Sequence, residues 1–493
     1  MSQKLMLEKI EKAQREIDTK REVVKHGKMR QCYHFMGETG WINDPNGLIY
    51  FRGKYHYFYQ HNPFNGFWDS MYWGHAVSDD LIHWEYLPLA LAPSEYYDNH
   101  LKGGCFSGSA IEHDGKLYLV YTGTCNNGNG FEQAQCIAYS EDGIHFEKYK
   151  GNPVISAPKG VPTDMFRDPK VWKHEDTFYL VCGASMNGFA QARLYKSKDM
   201  LNWEFVNVLA ESRGEWGFMW ECPDFFQVGN KYVLMLSPMG GKERTSVYLV
   251  GDFDYNTGKF FYKTSGEIDW GFDYYAPQSF EAADGRRLLV GWANAWDWMP
   301  FWKDWGPTYR EGWCGFFNVP REAVLNKNGT LSFIPVKELE VLRKNKLERK
   351  ETLLEDGREE EICDGSIYEL KLKVNLRNTT AEKIILKLRV SDHKRTEIVF
   401  DLKKAEIRFD RNHADDWSKG IARGPLNLMN KDYLDIHIYS DKISVELFSN
   451  EYQDNFSCNI YNVEEGQKNY IVAEGGVAEI DTLEKWDLEN VMQ

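Results

Sequence analysis

The chain has 493 residues, 42% hydrophobic and 27% charged, a globular composition too long for one ordinary core and therefore suited to two or three domains. Lys and Arg number 59 against 74 Asp and Glu, and the net charge of −15 argues against general affinity for nucleic acid or an anionic membrane. No long apolar run, a charged N-terminus and nine scattered Cys without a C-x-x-C pair predict a cytoplasmic protein with reduced thiols, no membrane span, no metal and no cofactor.

In chain order, the first element is a helix. Met6, Ile10, Ala13, Ile17 and Val24 fall at helical spacing among Glu, Lys and Arg, which predicts an amphipathic helix ending before His26-Gly27. The pattern then changes to short aromatic and β-branched runs between Gly, Asn, Asp and Pro, an all-β signature. An internal repeat organises these runs. "SDDLIHW" at 78–84 returns as "SEDGIHF" at 140–146 and "SKDMLNW" at 197–203. A second series starts at Gly53, Gly115, Asp176, Asn230 and Arg286. Five multi-strand units over roughly 30 to 335 predict a five-bladed β-propeller, because a blade cannot bury both faces until its neighbours pack on it.

Beyond residue 338 a charged stretch without aromatics, 339–356, reads as a linker helix or extended connector. Alternating strands follow to the end, the pattern of a β-sandwich. The expected organisation is an N-terminal helix and lead-in (1–29), a propeller catalytic domain (30–338), the linker and a sandwich (357–493). The sandwich shows no catalytic constellation, and packing on the propeller or building a homo-oligomer interface is its expected work.

The five segments opening the repeats are "INDPNGLIYF", "FSGSAIEH", "FRDPKVWK", "WECPDFFQ" and "YAPQSFEA". Four carry Pro at the matching place, Pro45, Pro169, Pro223 and Pro277. These strands should run along the propeller axis, so the residues before the prolines should converge. Asp44 and Asp168 stand directly before Pro, and Glu221 stands one residue earlier, opposite Asn43 and Arg167. Asp-Pro alone reads as a turn. Three carboxylates at near-equivalent places, flanked by Trp41, Arg167 and Trp220, read instead as a site for glycosidic bond cleavage, which needs a proton donor and a carboxylate that attacks or stabilises. No phosphate loop, H-E-x-x-H or G-x-S-x-G competes; "GGKERT" at 240–245 lacks the spacing. His61 and His75 read as positioning or packing residues.

At these residues the chain resembles glycoside hydrolase family 32, the invertase, sucrose-6-phosphate hydrolase and fructanase group. The likeness rests on "WINDPNG" (41–47), "YHYFYQHNP" (55–63), "FSGSA" (106–110), "FRDPKVW" (166–172), "WECPDFF" (220–226), "DYYAPQSF" (273–280) and "GWANAW" (291–296), in the family's order, and covers nearly the whole chain. The resemblance implies a retaining β-fructofuranosidase acting on a small sugar, with Asp44 as nucleophile, Glu221 as acid/base and Asp168 as transition-state stabiliser. It also implies that Asn43, Gln60, Trp68, Phe106, Ser107, Arg167, Tyr274 and Trp292 bind substrate. The expected substrates are sucrose, sucrose 6-phosphate or short fructo-oligosaccharides. An exo-inulinase or levanase, a fructosyltransferase and a non-catalytic sugar-binding propeller are the alternatives. The chain departs from the family at "FFNVPRE" (316–322) and in the aromatic segment 297–313, which leaves the leaving-group preference open. Lys303, Arg310 and Arg321 are the cations available there for a phosphate.

Overall fold

The repeated units form five antiparallel sheets whose first strands, Gly40–Phe51, Gly104–His113, Phe166–His174, Met219–Val228 and Tyr275–Glu281, each pack against the first strands of the neighbouring blades and so ring one axis. The computed structural model describes residues 2–126, 128–241, 245–296, 305–428, 431–464 and 466–492. Both faces of a blade are apolar, so each core lies between two blades. Val181 and Leu194 of the third blade pack with Trp220, Leu234 and Leu249 of the fourth, and Phe226, Met235 and Val250 of the fourth pack with Leu289 and Phe333 of the fifth. This mutual burial is why the unit repeats rather than standing alone.

The S-x-D repeat has a local cause. Asp80, Asp142 and Asp199 each accept two backbone N–H groups of the turn they open, from Ile82 and His83, Ile144 and His145, and Leu201 and Asn202. The Ser two residues earlier donates to the same carboxylate in each case. Leu81, Gly143 and Met200, the next residues, all take a positive φ between 61° and 81°. One Asp therefore holds the same tight turn between the third and fourth strands of three blades.

The helix Ser2–Lys25 buries Met6, Ala13 and Ile17 against the first two blades, with Tyr72, Leu89 and Phe146, while Val24 meets Trp313 and Phe316. The ring closes at Trp313 and Cys314, between the second and third strands of the fifth blade. Trp313 and Cys314 pair parallel with Gly40 and Trp41 of the first blade. Gly40 is required there, since a Cβ on it would come within 2.3 Å of the Asn62 carbonyl oxygen.

The C-terminal part is two six-stranded sheets face to face, with Leu370, Leu372, Ile436 and Ile438 of one sheet meeting Leu386, Leu388, Ile398 and Phe400 of the other. The charged stretch read as a linker or connector is built into this unit. A 3-10 turn at Lys337–Leu342 leads to the strand Arg343–Leu354, which pairs with Ala478–Leu488 at a sheet edge. An edge strand tolerates that charge because much of it faces water.

Buried charge joins the two units. Arg321, expected at the cavity rim, is instead fully buried, because its strand belongs to the third position of the fifth blade and faces the sandwich. Its guanidinium donates to Asp269 Oδ2 at 2.9 Å, Glu446 Oε2 at 2.7 Å and Ser457 Oγ at 2.7 Å, and lies over the Tyr274 and Phe448 rings. Glu446 also bonds His34 at 2.9 Å, and His34 bonds Asp441 at 2.8 Å. Burial alone would strip the proton from His34, but these two carboxylates outweigh it and push the imidazolium up to about 9. Breaking a buried charged hub costs about 3–5 kcal/mol because the partner charges stay buried. Arg321→Met should therefore lower the urea midpoint of the full chain clearly, and an unchanged midpoint would show the hub to be dispensable.

Candidate active site

Each of the five axial strands carries a β-bulge at the same place. The register slips between Ile42 and Pro45, Phe106 and Gly108, Arg167 and Lys170, Glu221 and Asp224, and Tyr275 and Gln278. In a regular strand, neighbouring side chains point to opposite faces; a bulge suspends that alternation and re-aims them. Asp168, Cys222 and Ala276 take φ of 66°, 48° and 50° at these bulges, which is unusual for residues with a Cβ. As a result consecutive residues, Asn43 with Asp44 and Arg167 with Asp168, line the same cavity.

Two tiers of side chains result. The residues directly before the prolines, or before Gly108 in the second blade, are Asp44, Ser107, Asp168, Cys222 and Ala276. Ser107 Oγ donates to Asp44 Oδ2 at 2.6 Å, and the Cys222 N–H donates to Asp168 Oδ2 at 3.0 Å. The Cys222 thiol lies between the two carboxylates, 3.5 Å from Asp44 and 3.7 Å from Asp168. One residue earlier stand Asn43, Phe106, Arg167, Glu221 and Tyr275. Asn43 donates to Asp44 at 3.0 Å and is itself held by the Trp41 indole N–H at 2.7 Å. Arg167 Nε donates to Glu221 Oε1 at 3.0 Å, and the Tyr275 hydroxyl donates to Glu221 Oε2 at 2.5 Å.

The cavity above these groups has a volume of about 410 Å³, a size suited to a small sugar. Its wall includes Gln60, Trp68, Phe106 and Trp296. Burial pushes Asp44 up to about 6; the Ser107 bond opposes this, and the Glu221 charge adds to it. Asp168 is pushed up to about 7 by burial, against the pull of Arg167, with Glu221 and Asp44 raising it further. One basin thus holds three carboxylates with different hydrogen-bond partners, a condition for dividing acid, base and nucleophile roles.

Of the residues expected to bind substrate, Asn43, Gln60, Trp68, Phe106, Ser107 and Arg167 line the cavity, as do all three carboxylates. Tyr274 and Trp292 do not. Tyr274 is fully buried beneath Arg321, one residue off the axial register, and Trp292 is buried among Trp41 and Trp296, so both support the wall from behind. Sequence reasoning missed Tyr275, although it occupies the register of Asn43, Arg167 and Glu221. It also missed Lys102, Thr124 and Gln133, which line the cavity from the second blade. His61 bonds the Trp41 carbonyl and His75 bonds His56, both buried away from the cavity, as the packing reading expects. Of the proposed rim cations, Arg310 lies over the Trp417 ring of the sandwich, and Lys303 lies outside the described residues, with most of the segment's first half.

Comparison with known proteins gives a consistent result. The family model described as the glycosyl hydrolases family 32 N-terminal domain matches residues 34–335, and that of the family's C-terminal domain matches 338–487. A sucrose-6-phosphate hydrolase of Zymomonas mobilis is 36% identical over 486 residues, covering 93% of this chain and 92% of that protein. A solved GH32 β-fructofuranosidase mutant of Bombyx mori in complex with sucrose is 31% identical with a TM-score of 0.82, covering 98% of both chains. The structure of a sucrose-6-phosphate hydrolase from Lactobacillus gasseri is 27% identical with a TM-score of 0.84, covering 97% of this chain and 96% of that one.

The raised Asp44 has a thermodynamic consequence. A carboxyl whose folded value is about 6 against an ordinary 3.8 destabilises the folded state above pH 6, by about 3 kcal/mol, and this cost disappears below pH 3.8. Asp44→Asn should therefore raise the thermal midpoint at pH 7.5, and the gain should shrink as the pH falls towards 4. A lower midpoint at pH 7.5 would contradict the cost assigned to this charge.

Proposed function

The chain belongs to glycoside hydrolase family 32 and acts as a β-fructofuranosidase, and we propose that Asp44, Glu221 and Asp168 divide that reaction between them. Asp44 attacks the anomeric C2 of the fructosyl unit while Glu221 protonates the departing glycosidic oxygen. The C2–oxygen bond to the leaving sugar breaks as the bond to Asp44 forms. In the second step Glu221 takes a proton from water, the water oxygen attacks C2, and Asp44 leaves, so the configuration is retained. Asp168 accepts hydrogen bonds from fructose hydroxyls as charge builds on the ring.

The observation that carries this reading is the separation of partners. Ser107 and Asn43 bond Asp44, the Cys222 N–H bonds Asp168, and Arg167 with Tyr275 fix Glu221. Asp44 and Glu221 thus share no hydrogen-bond partner, so one can serve as nucleophile while the other serves as proton donor. Trp68 and Phe106 supply an aromatic wall for the apolar face of a sugar. The substrate is sucrose, sucrose 6-phosphate or a short fructo-oligosaccharide, and the sucrose-bound relative supports the small-sugar class. Among the described residues no helix is long and apolar enough to cross a membrane. A cytoplasmic enzyme acting on imported sugar is the setting that fits the nine free thiols.

Asp44→Asn and Glu221→Gln should each lower kcat on sucrose by about 10⁴ or more with the fold intact, and near-normal turnover by either variant would remove it from the mechanism. The pH profile gives a second check. Asp44 must be ionised to attack, so kcat/KM should fall as the pH drops through about 6, well above the ordinary carboxylate range. Ser107→Ala removes a bond that stabilises the charged form, so the acid limb should move to higher pH; a shift to lower pH would refute the assignment.

A further inference from the structure

The reaction above uses the first, third, fourth and fifth blades more fully than the second. At the upper end of that blade Gly104 pairs with Thr124, and Thr124 pairs with Gln133, across three adjacent strands. Thr124, Gln133 and the nearby Lys102 all line the catalytic cavity. Gln133 Oε1 accepts from Arg167 at 3.3 Å, and Arg167 holds Glu221, so this wall adjoins the acid/base and hence the leaving sugar rather than the fructose.

The three side chains offer donors. Lys102 sits at φ 61°, with its own N–H bonded to Asp69 at 3.3 Å, next to a Gly103 whose place leaves no room for a Cβ beside the Thr124 carbonyl. Among the described residues lining the cavity, Lys102 is the cation with no carboxylate partner, since Arg167 is committed to Glu221. The Thr124 hydroxyl is buried, and its oxygen has no hydrogen-bond partner among the described residues. The Gln133 oxygen is taken by the Phe166 N–H and Arg167, which leaves its NH₂ for a ligand. A buried hydroxyl without a partner is costly unless something bound in the cavity completes it. An ammonium, a hydroxyl and an amide NH₂ on one wall suit a phosphoryl group, with its several acceptor oxygens and its charge. Asp164 also lines the cavity, so the positive charge of Lys102 must carry the preference.

We propose that Lys102, Thr124 and Gln133 receive the phosphoryl group of a phosphorylated leaving sugar and so set the preference for a sugar phosphate over the unmodified disaccharide. This rests on the fructosidase reading above. The test is kcat/KM for sucrose 6-phosphate and for sucrose, measured side by side in the wild type, Lys102→Met and Thr124→Val, with inhibition by glucose 6-phosphate, glucose and inorganic phosphate. The wild type should favour the phosphorylated sugar. Lys102→Met should cut the ratio of the two kcat/KM values by about tenfold to a hundredfold, mostly through KM, and Thr124→Val by a smaller factor in the same direction. A purely structural role would lower both substrates together, and an unchanged ratio in Lys102→Met overturns the assignment. Inhibition by inorganic phosphate as strong as by glucose 6-phosphate would make the wall a free-anion site and overturn the leaving-sugar assignment. No fructose from either sugar in the wild type would defeat the fructosidase reading itself, a result distinct from cleavage without discrimination.

Discussion

Carboxylates brought together in one buried cavity repel one another, and much of the propeller answers that repulsion. Burial raises the proton affinity of Asp44 and Asp168, and each neighbouring negative charge raises it further. The compensation is local and specific: a guanidinium and a phenol on Glu221, a hydroxyl and an amide on Asp44, a backbone N–H on Asp168. None of these donors comes from the blade of the group it serves, except Asn43. The arrangement works only while five strands from distant parts of the chain keep their mutual positions, so the chemistry depends on a stiff ring.

Stiffness comes from two sources. Apolar cores between blades lock each sheet to the next, and the sandwich grips the ring at the segment just before Tyr275. The Trp270 and Asp273 N–H groups donate to the carbonyls of Asn455 and Ser457 on a sandwich strand, and Arg411 binds the Asp273 carboxylate at 2.7 Å. Arg321, Glu446 and His34 extend this contact as a connected set of buried charges. Among the described residues the second unit places no side chain in the cavity, yet it holds the strand whose tyrosine bonds Glu221.

The site was legible in the sequence to the extent that it repeats. Pro45, Pro169, Pro223 and Pro277 mark one register, and that register alone brings Asp44, Asp168 and Glu221 to one place. What the repeat did not convey was which of two adjacent tyrosines faces inward. The bulge between Tyr275 and Gln278 settles that, and a bulge is a backbone event with no residue signature of its own. Arg321 shows a different failure: a cation in a loop-like stretch reads as exposed until the sheet order reveals that its strand faces another unit. Arg343–Leu354 misleads in the opposite sense, since an edge strand rich in charge looks like a connector. Lys102, Thr124 and Gln133 form no motif at all; strand pairing sets Thr124 beside Gln133, and the turn before Gly104 brings Lys102 to the same wall.

The pairing of Trp313 and Cys314 with Gly40 and Trp41 ties the beginning of the ring to nearly its end. A ribosome delivers the first blade long before the closing turn exists, so nascent chains pass through a stage in which four finished blades stand open like an unclasped bracelet. The N-terminal helix packs across the first two blades, the part of the ring that is made first. Clasp and cavity share residues, because Trp305, just ahead of the closing pair, packs on Trp41, whose indole fixes Asn43 beside Asp44. Closure of the ring and the placing of Asn43 beside Asp44 thus lean on the same tryptophan.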